Sequence, residues 1–222
     1  MRVRRVVRAM RQRPVVRVPS RVRDTESATL RYLMFGLLPA WFVPSVLDWI
    51  QHRRTDIEHT AGTKESLIHL LMMAEVGGPI ALALLCEINP LVLVIIAAAI
   101  AAHEATALWD VSTAEASDRE VTPWEQHIHS FLESLPFMAT AALACLHWEQ
   151  LRALVTGARR PGAWRLRWKE YRLPGGYLAS VAGAIAGLVA LPYGEELYRC
   201  VRAGRRDPKG RSEADASRAV GH

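Results

Sequence analysis

The sequence predicts an all-α, polytopic integral membrane protein: a four-helix transmembrane bundle that carries a polar site, with a fifth helix rich in small residues. Two observations support this fold class. First, 50% of the 222 residues are hydrophobic although the mean hydropathy is only +0.06, because long apolar runs alternate with arginine-rich stretches. Second, each apolar run is continuous and rich in Ala and Leu, which favours helices over membrane strands, whose residues alternate.

Five apolar runs have the length that a helix needs to cross about 30 Å of hydrocarbon. They lie at residues 31–50, 66–86, 90–109, 127–147 and 175–193. No small-residue cleavage site follows the first run, so we interpret it as a retained helix rather than a signal peptide. We therefore divide the chain into a disordered basic arm at 1–29, a transmembrane domain at 30–194 and a disordered polar tail at 195–222.

Basic residues predict the orientation of these helices. Ten arginines precede residue 32 and seven basic residues lie at 148–174, whereas the loops at 51–65 and 110–126 hold four together. The positive-inside rule therefore predicts a cell inner membrane protein with a cytoplasmic N-terminus. The basic tail lies outside if 175–193 spans, so either the rule is partly violated or this fifth segment is re-entrant. We attribute the net charge of +6 to membrane orientation and expect no nucleic-acid partner.

Ionisable residues concentrate at one end of the first four helices, near the outer face in this topology. Six of the eight histidines fall there, and the opposite ends offer only Glu87, His147 and Glu149. Ionisable residues inside a membrane are costly and are by default candidates for function. The candidate metal ligands are Asp48, His52, His59, Glu65, His69, His103, Glu104, Asp110, Glu125, His127 and His129.

Several of these residues repeat at helical spacing. Asp48 and His52 are four residues apart, as are Glu65 and His69, so each pair shares a helix face. If the first helix continues toward Gly62, His59 lies on the same stripe as His52. Carboxylates and imidazoles are the ligands that iron, manganese and zinc take, and a helical bundle can hold two such ions between facing helices. We therefore expect two transition-metal ions, iron or manganese, with zinc as an alternative.

The other polar residues complete this picture. Glu75 and Glu133 are the candidate catalytic residues, as groups that transfer protons. His127 and His129 point about 200° apart on a helix, so at most one of them is expected to face the core. A purely structural pair of Glu75 with His103 is the competing interpretation.

No single motif identifies a reaction, since HEATA at 103–107 lacks the second histidine of zinc proteases. We expect a di-metal oxidoreductase that acts on a lipid, quinone or other apolar substrate, with a metal-dependent hydrolase as a variant. A proton- or ion-coupled transporter is the alternative, because Glu75 precedes Gly77-Gly78-Pro79, which predicts a kink or break of the helix near mid-membrane. Haem is a further alternative, although the cluster offers more ligands than haem needs.

The fifth run contains Gly183-x-x-x-Gly187, a spacing typical of helix-packing faces. It has no ionisable residue before Glu195, so we expect no chemistry from it. The expected partners are the lipid bilayer, an apolar substrate, a redox partner and a second copy of the chain, paired through Gly183 and Gly187.

Overall fold

The computed structural model describes residues 22–115, 121–157 and 162–206, which form helices joined by turns and short loops. Within these residues, five helices are long and apolar enough to cross a membrane, as predicted for a multi-pass membrane protein. They are α1 (Asp24–Arg54), α2 (Gly62–Leu85), α3 (Pro90–Glu115), α4 (Pro123–Leu146) and α6 (Gly175–Arg206), and a short α5 (Trp148–Thr156) follows α4. Phe35, Leu108 and Leu191 are exposed on the outer surface of the bundle, as lipid-facing residues are.

The first and last helices extend beyond the apolar runs that predicted them. Helical structure begins at Val22 and α6 continues to Arg206, so the predicted disorder at 22–29 and 195–206 is wrong. Hydropathy identifies only the part of a helix that crosses hydrocarbon. Arg and Glu are good helix formers, so the backbone hydrogen bonds of the helix continue beyond the apolar segment. The rest of the predicted arm and tail lies outside the described residues.

α1 ends at Arg54, earlier than the predicted end at Gly62. Asp56 has a φ of 52°, which an α-helix does not contain, and residues 55–61 form hydrogen-bonded turns instead. Gly62, with a φ of 68°, closes these turns by donating its N–H to the Ile57 carbonyl at 2.7 Å. The connection is therefore a compact turn rather than a continued helix.

α2 remains helical across Gly77-Gly78-Pro79, so a complete break in the helix is excluded, while the expected kink stays a prediction. Pro79 lacks an N–H and removes the one hydrogen bond that would reach the Glu75 carbonyl. The hydrogen bonds before and after that position keep the helix continuous. α2 therefore lacks the fully broken helix that favoured a transporter.

α6 packs against both α1 and α2, while α2 also packs along α3 and α1 along α4. One core group joins the helices, and it includes Trp41 of α1, Val76 of α2, Leu132 of α4 and Tyr193 of α6. The polar site therefore lies in a bundle to which α6 also contributes, not in the predicted bundle of four helices.

The segment after α5 closes the opposite end of the bundle. Trp168 forms a β-bridge with Cys86, and the Lys169 N–H donates to the Leu85 carbonyl at 3.0 Å. The side-chain amide of Asn89 donates to the Arg165 carbonyl at 2.8 Å. These contacts hold the segment against the α2–α3 connection.

The predicted small-residue face of α6 makes no close contact inside the described chain. Gly183 and Gly187 are exposed, and a Cβ at either position would meet nothing within 4 Å. Within the described chain this face packs against no other helix, because α6 turns other residues toward α1 and α2. Pairing of two chains through it stays a prediction.

Candidate metal centre

Buried ionisable side chains gather where α1 and α3 end and α2 and α4 begin. Adjacent helices run in opposite directions, so these ends meet at one side of the bundle. Burial of so many ionisable groups is costly unless they pair or bind metal. Predicted ligands that are at most 3% exposed are Asp48, His52, Glu65, His69, His103, Asp110 and Glu125.

Two of these histidines share one carboxylate from α6. Nδ1 of His52 lies 2.8 Å from Oε2 of Glu196, and Nδ1 of His69 lies 3.1 Å from Oε1 of the same side chain. A carboxylate only accepts hydrogen bonds, so each histidine donates its Nδ1–H, and in the neutral imidazole the lone pair is then on Nε2. The two rings stack at 4.3 Å with 8° between their planes. Glu196 thus sets the tautomer of both histidines.

Nε2 of His52 faces other buried carboxylates. It lies 3.4 Å from Oδ1 of Asp48 and 3.9 Å from Oε1 of Glu125. Nε2 of His129 lies 2.8 Å from the same oxygen of Asp48. One ligand atom from each of Asp48, His52 and His129 lies within 4.8 Å of the others, which is close enough for one metal ion.

Nε2 of His69 faces a second set of carboxylates. It lies 3.3 Å from Oδ1 of Asp110 and 3.9 Å from Oε1 of Glu65. His52, Glu65 and His69 form a second group whose ligand atoms lie within 4.8 Å of one another. Within the described chain, Nε2 of neither His52 nor His69 has a hydrogen-bond partner. Because Nδ1 of His52 is bound to Glu196, its single lone pair serves one of the two groups at a time.

A small cavity lies between these groups. Its volume is about 20 Å³, and its polar lining comes from Asp48, His69, Asp110, His129 and Glu133. That volume is sufficient for one water molecule or one ion. The cavity thus lies beside ligand atoms from α1, α2, α3 and α4.

Tyr193 of α6 forms a hydrogen bond with one of the predicted ligands, Asp48. Its hydroxyl donates to Oδ2 of Asp48 at 2.9 Å and lies 3.1 Å from the Ser45 carbonyl. Tyr193 is fully buried, at 0% exposure, and Oδ1 of Asp48 remains directed at the histidines. The hydroxyl therefore orients one predicted ligand in the way that outer-shell partners orient metal ligands.

An ion-pair network lies at the edge of the bundle, next to the buried groups. Glu195 accepts from Arg53 at 2.9 Å, from Trp49 at 3.1 Å and from Arg199 at 2.9 Å. Arg199 also pairs with Glu58 in the α1–α2 turn. Burial alone would raise the pKa of Glu58, but the hydrogen bond and charge of Arg199 outweigh it and lower that pKa. The network ties α6 to α1 and to the turn.

His103 is buried away from both metal groups. Its Nδ1 lies 3.7 Å from Oε2 of Glu75, whose other oxygen accepts from the Thr106 hydroxyl at 2.9 Å. Within the described residues, neither ring nitrogen of His103 makes a hydrogen bond. The structure thus places His103 beside Glu75, the pair of the structural interpretation, but without a hydrogen bond between them, and it does not bring His103 into the His52, His69 and His129 groups.

The remaining predicted residues lie at the margin of the cluster. Glu104 and Glu133 are half-buried, and Glu133 lines the small cavity. His127 is exposed while His129 reaches Asp48, so the prediction that at most one of the two faces the core is confirmed.

His59 does not share the helix face of His52, and that prediction is wrong. The helix ends at Arg54, and His59 is an exposed residue of the turn, where it lies near Asp56 and Glu58. The left-handed backbone at Asp56 is the local reason.

Sequence reasoning missed Tyr193 and Glu196. The fifth run, 175–193, was expected to contribute no chemistry, and that stays a prediction. Tyr193 is its last residue, and Glu196 lies in the helical turn just beyond it. A signal was present: Tyr193, Glu196 and Cys200 are three and four residues apart, and this stripe is at most 1% exposed. A helix continued past the apolar run would have placed all three on one face.

No protein-family model, curated protein or solved structure matches this chain. The function is therefore argued from the site itself. The site offers imidazole nitrogens and carboxylate oxygens in a buried space, and this is chemistry suited to holding transition-metal ions.

Proposed function

We propose that this protein is a membrane-embedded metalloenzyme, a di-metal oxidoreductase that acts on a lipid, quinone or other apolar substrate. The observation that carries the proposal is the pair of histidines held by Glu196. Metal-ligating histidines usually donate their second ring N–H to a carboxylate, which orients the ring and raises its basicity. His52 and His69 both have this arrangement, with Nε2 left for a ligand.

The donor set supports two ions. Its nitrogens come from His52, His69 and His129, and its oxygens come from buried carboxylates. Di-metal carboxylate bundles use four carboxylates and two histidines from facing helices. The carboxylates here are Asp48, Glu65, Asp110 and Glu125. Iron and manganese accept such mixed nitrogen and oxygen ligands, as does zinc.

The charge of the cluster also favours bound cations. Within the described chain, the ion pairs of Asp48, Asp110 and Glu196 are all with histidines. Neutral histidines leave these carboxylates uncompensated, and buried charge without compensation is costly. Two divalent cations would supply the missing positive charge at the ligand atoms.

The bound ions would supply the redox chemistry, and the chain would bind them, exclude water and move protons. Glu133 borders the small cavity together with Asp110 and His129, so it is positioned to give or take a proton there. Glu75 lies deeper and holds its carboxylate on Thr106 beside His103. It is the second proton-transferring group of the proposal.

The arginine distribution supports an inner-membrane location, with the N-terminus in the cytoplasm and the metal centre near the outer face. An apolar substrate would then reach the bundle from the lipid. A redox partner in the cytoplasm would meet the basic loop at 148–174.

Elemental analysis and an optical spectrum of detergent-purified protein test the proposal. We expect two equivalents of iron or manganese per chain and no Soret band. His129→Ala and His127→Ala are matched variants on α4, but only His129 contacts Asp48. We expect the first to lose metal and the second to keep it. A wild-type protein that takes up no metal after reconstitution, a Soret band, or equal metal contents in the two variants would overturn the proposal.

A further inference from the structure

A second and larger cavity, of about 320 Å³, follows α1 from the end opposite to the metal centre. α1 lines it from Leu30 to Trp41, a distance of about 16 Å along the helix. That is roughly half of the ~30 Å hydrocarbon core, the depth of one lipid leaflet. The π-helical turn at Leu33–Leu37 forms part of this wall, and such turns are frequent at functional sites.

The walls and the mouth of this cavity differ in chemistry. α2 and α4 contribute mainly apolar residues, such as Pro79 and Ala139. Lys169 and Tyr171, from the segment that closes this end of the bundle, also line the cavity. Tyr171 is exposed, which places these two residues at the open end, the mouth, and Arg172 lies with Lys169 at a neighbouring cavity. Basic residues at the membrane surface attract anionic lipid headgroups. The cavity thus combines a long apolar interior with a cationic mouth.

The inner end of the cavity lies near the metal centre. Trp41 lines this end at 4% exposure, and its indole N–H has no hydrogen-bond partner in the described part of the chain. A buried indole N–H usually has such a partner. Trp41 and Val76 belong to the core group of Tyr193, whose hydroxyl binds Asp48. The inner end of the cavity is therefore one packed group away from the metal ligands.

We propose that this cavity binds a single long chain of an anionic lipid. The headgroup pairs with Lys169, and the chain lies along α1 with its far end at Trp41 and Val76. The length of one leaflet, the apolar walls and the cationic mouth all fit this occupant. The binding of a lipid in this cavity does not depend on the proposed function. The further step, that the bound lipid is the substrate of the metal centre, rests on the proposed function.

Photo-crosslinking tests the site in protein reconstituted into phosphatidylcholine nanodiscs. The probe is palmitic acid with a diazirine at the far end of its chain, and labelled peptides are mapped by mass spectrometry. We expect labelling to peak at Trp41 and Val76. Ala139→Phe fills the cavity and should remove most of this labelling, whereas Ala98→Phe, at an exposed alanine of α3, should not. Lys169→Gln should weaken labelling about fivefold, the effect of one basic residue near an anionic headgroup.

Two further arms make the test decisive. Ala83→Phe fills the same cavity from α2, in case Ala139→Phe fails to fold. A diazirine-bearing phosphatidylglycerol shows whether the chain comes from a phospholipid or from a free fatty acid, and labelling by either one supports the proposal. Labelling spread evenly over the lipid-facing surface, or unchanged in both filling variants, would overturn it. Metal content is measured in the same samples, so labelling retained in metal-free protein would uphold the lipid site while refuting the metalloenzyme.

Discussion

Replacing Glu196 with glutamine should disable one of the two histidines that it holds. The carboxylate accepts from Nδ1 of His52 and of His69 through its two oxygens. Glutamine offers one acceptor oxygen and one NH2 donor, so only one histidine can still donate to it. The other faces a donor and must move its proton to Nε2. That nitrogen then cannot bind a metal ion.

The size of this effect follows from the lost interaction. A hydrogen bond to a charged group contributes about 1.5–3 kcal/mol. Removing an outer-shell partner of a metal ligand lowers metal affinity about 10- to 100-fold, which corresponds to about 1.4–2.8 kcal/mol. Because the two ranges agree, Glu196→Gln should weaken metal binding by one to two orders of magnitude.

Competition with a graded chelator, followed by elemental analysis, measures this affinity. Glu195→Gln is the matched control, since it makes the same charge change one residue away. Glu195 is 36% exposed and pairs with Arg53 and Arg199 rather than with a histidine. We expect its metal affinity to stay within about threefold of wild type, because exposed ion pairs contribute little. Equal affinities for Glu196→Gln and wild-type protein would refute the assignment of His52 and His69 as carboxylate-oriented ligands.

Three further predictions concern stability. Tyr193→Phe removes the hydroxyl that donates to Asp48, so the variant should be less stable by about 1–2 kcal/mol and melt at a lower temperature; an unchanged melting temperature would contradict this support role. The Arg199 hydrogen bond lowers the pKa of Glu58, so their pair stabilises the fold above the ordinary carboxyl pKa of about 4.3 and is lost as the pH falls below it. The melting temperature of Glu58→Gln should therefore fall less on acidification than that of wild type. Melting temperatures that fall in parallel would show that this pair does not contribute to the loss of stability at low pH. Chelation should lower the melting temperature and added manganese(II) should restore it, as expected of an ion that binds only the folded protein; a melting temperature insensitive to both would refute bound metal.

Several features of this protein were determined by its sequence alone. The five apolar helices followed from hydropathy, because a backbone in hydrocarbon must satisfy its own hydrogen bonds within a helix. The Asp48–His52 and Glu65–His69 pairs followed from helical periodicity, and both pairs are at most 3% exposed. The gathering of these pairs at one side followed from the alternating direction of the helices.

Local chemistry at the helix ends was harder to infer. The end of α1 at Arg54 depends on the left-handed backbone of Asp56, which no periodicity reveals. The continuity of α2 through Pro79 depends on neighbouring hydrogen bonds that outweigh one missing donor. Both outcomes reflect small energy differences that hydropathy does not measure.

Only the tertiary structure decided which carboxylate controls the histidines. Glu196 lies 144 residues from His52 and 127 residues from His69 along the chain, and it meets them because α6 packs against α1 and α2. The packing also places His103 beside Glu75, at 3.7 Å and without a hydrogen bond, rather than beside the other histidines. A hydrogen bond needs its two atoms within about 3 Å. The packing of whole helices determines which atoms of different helices come that close. Local sequence patterns do not specify the distance between two helices.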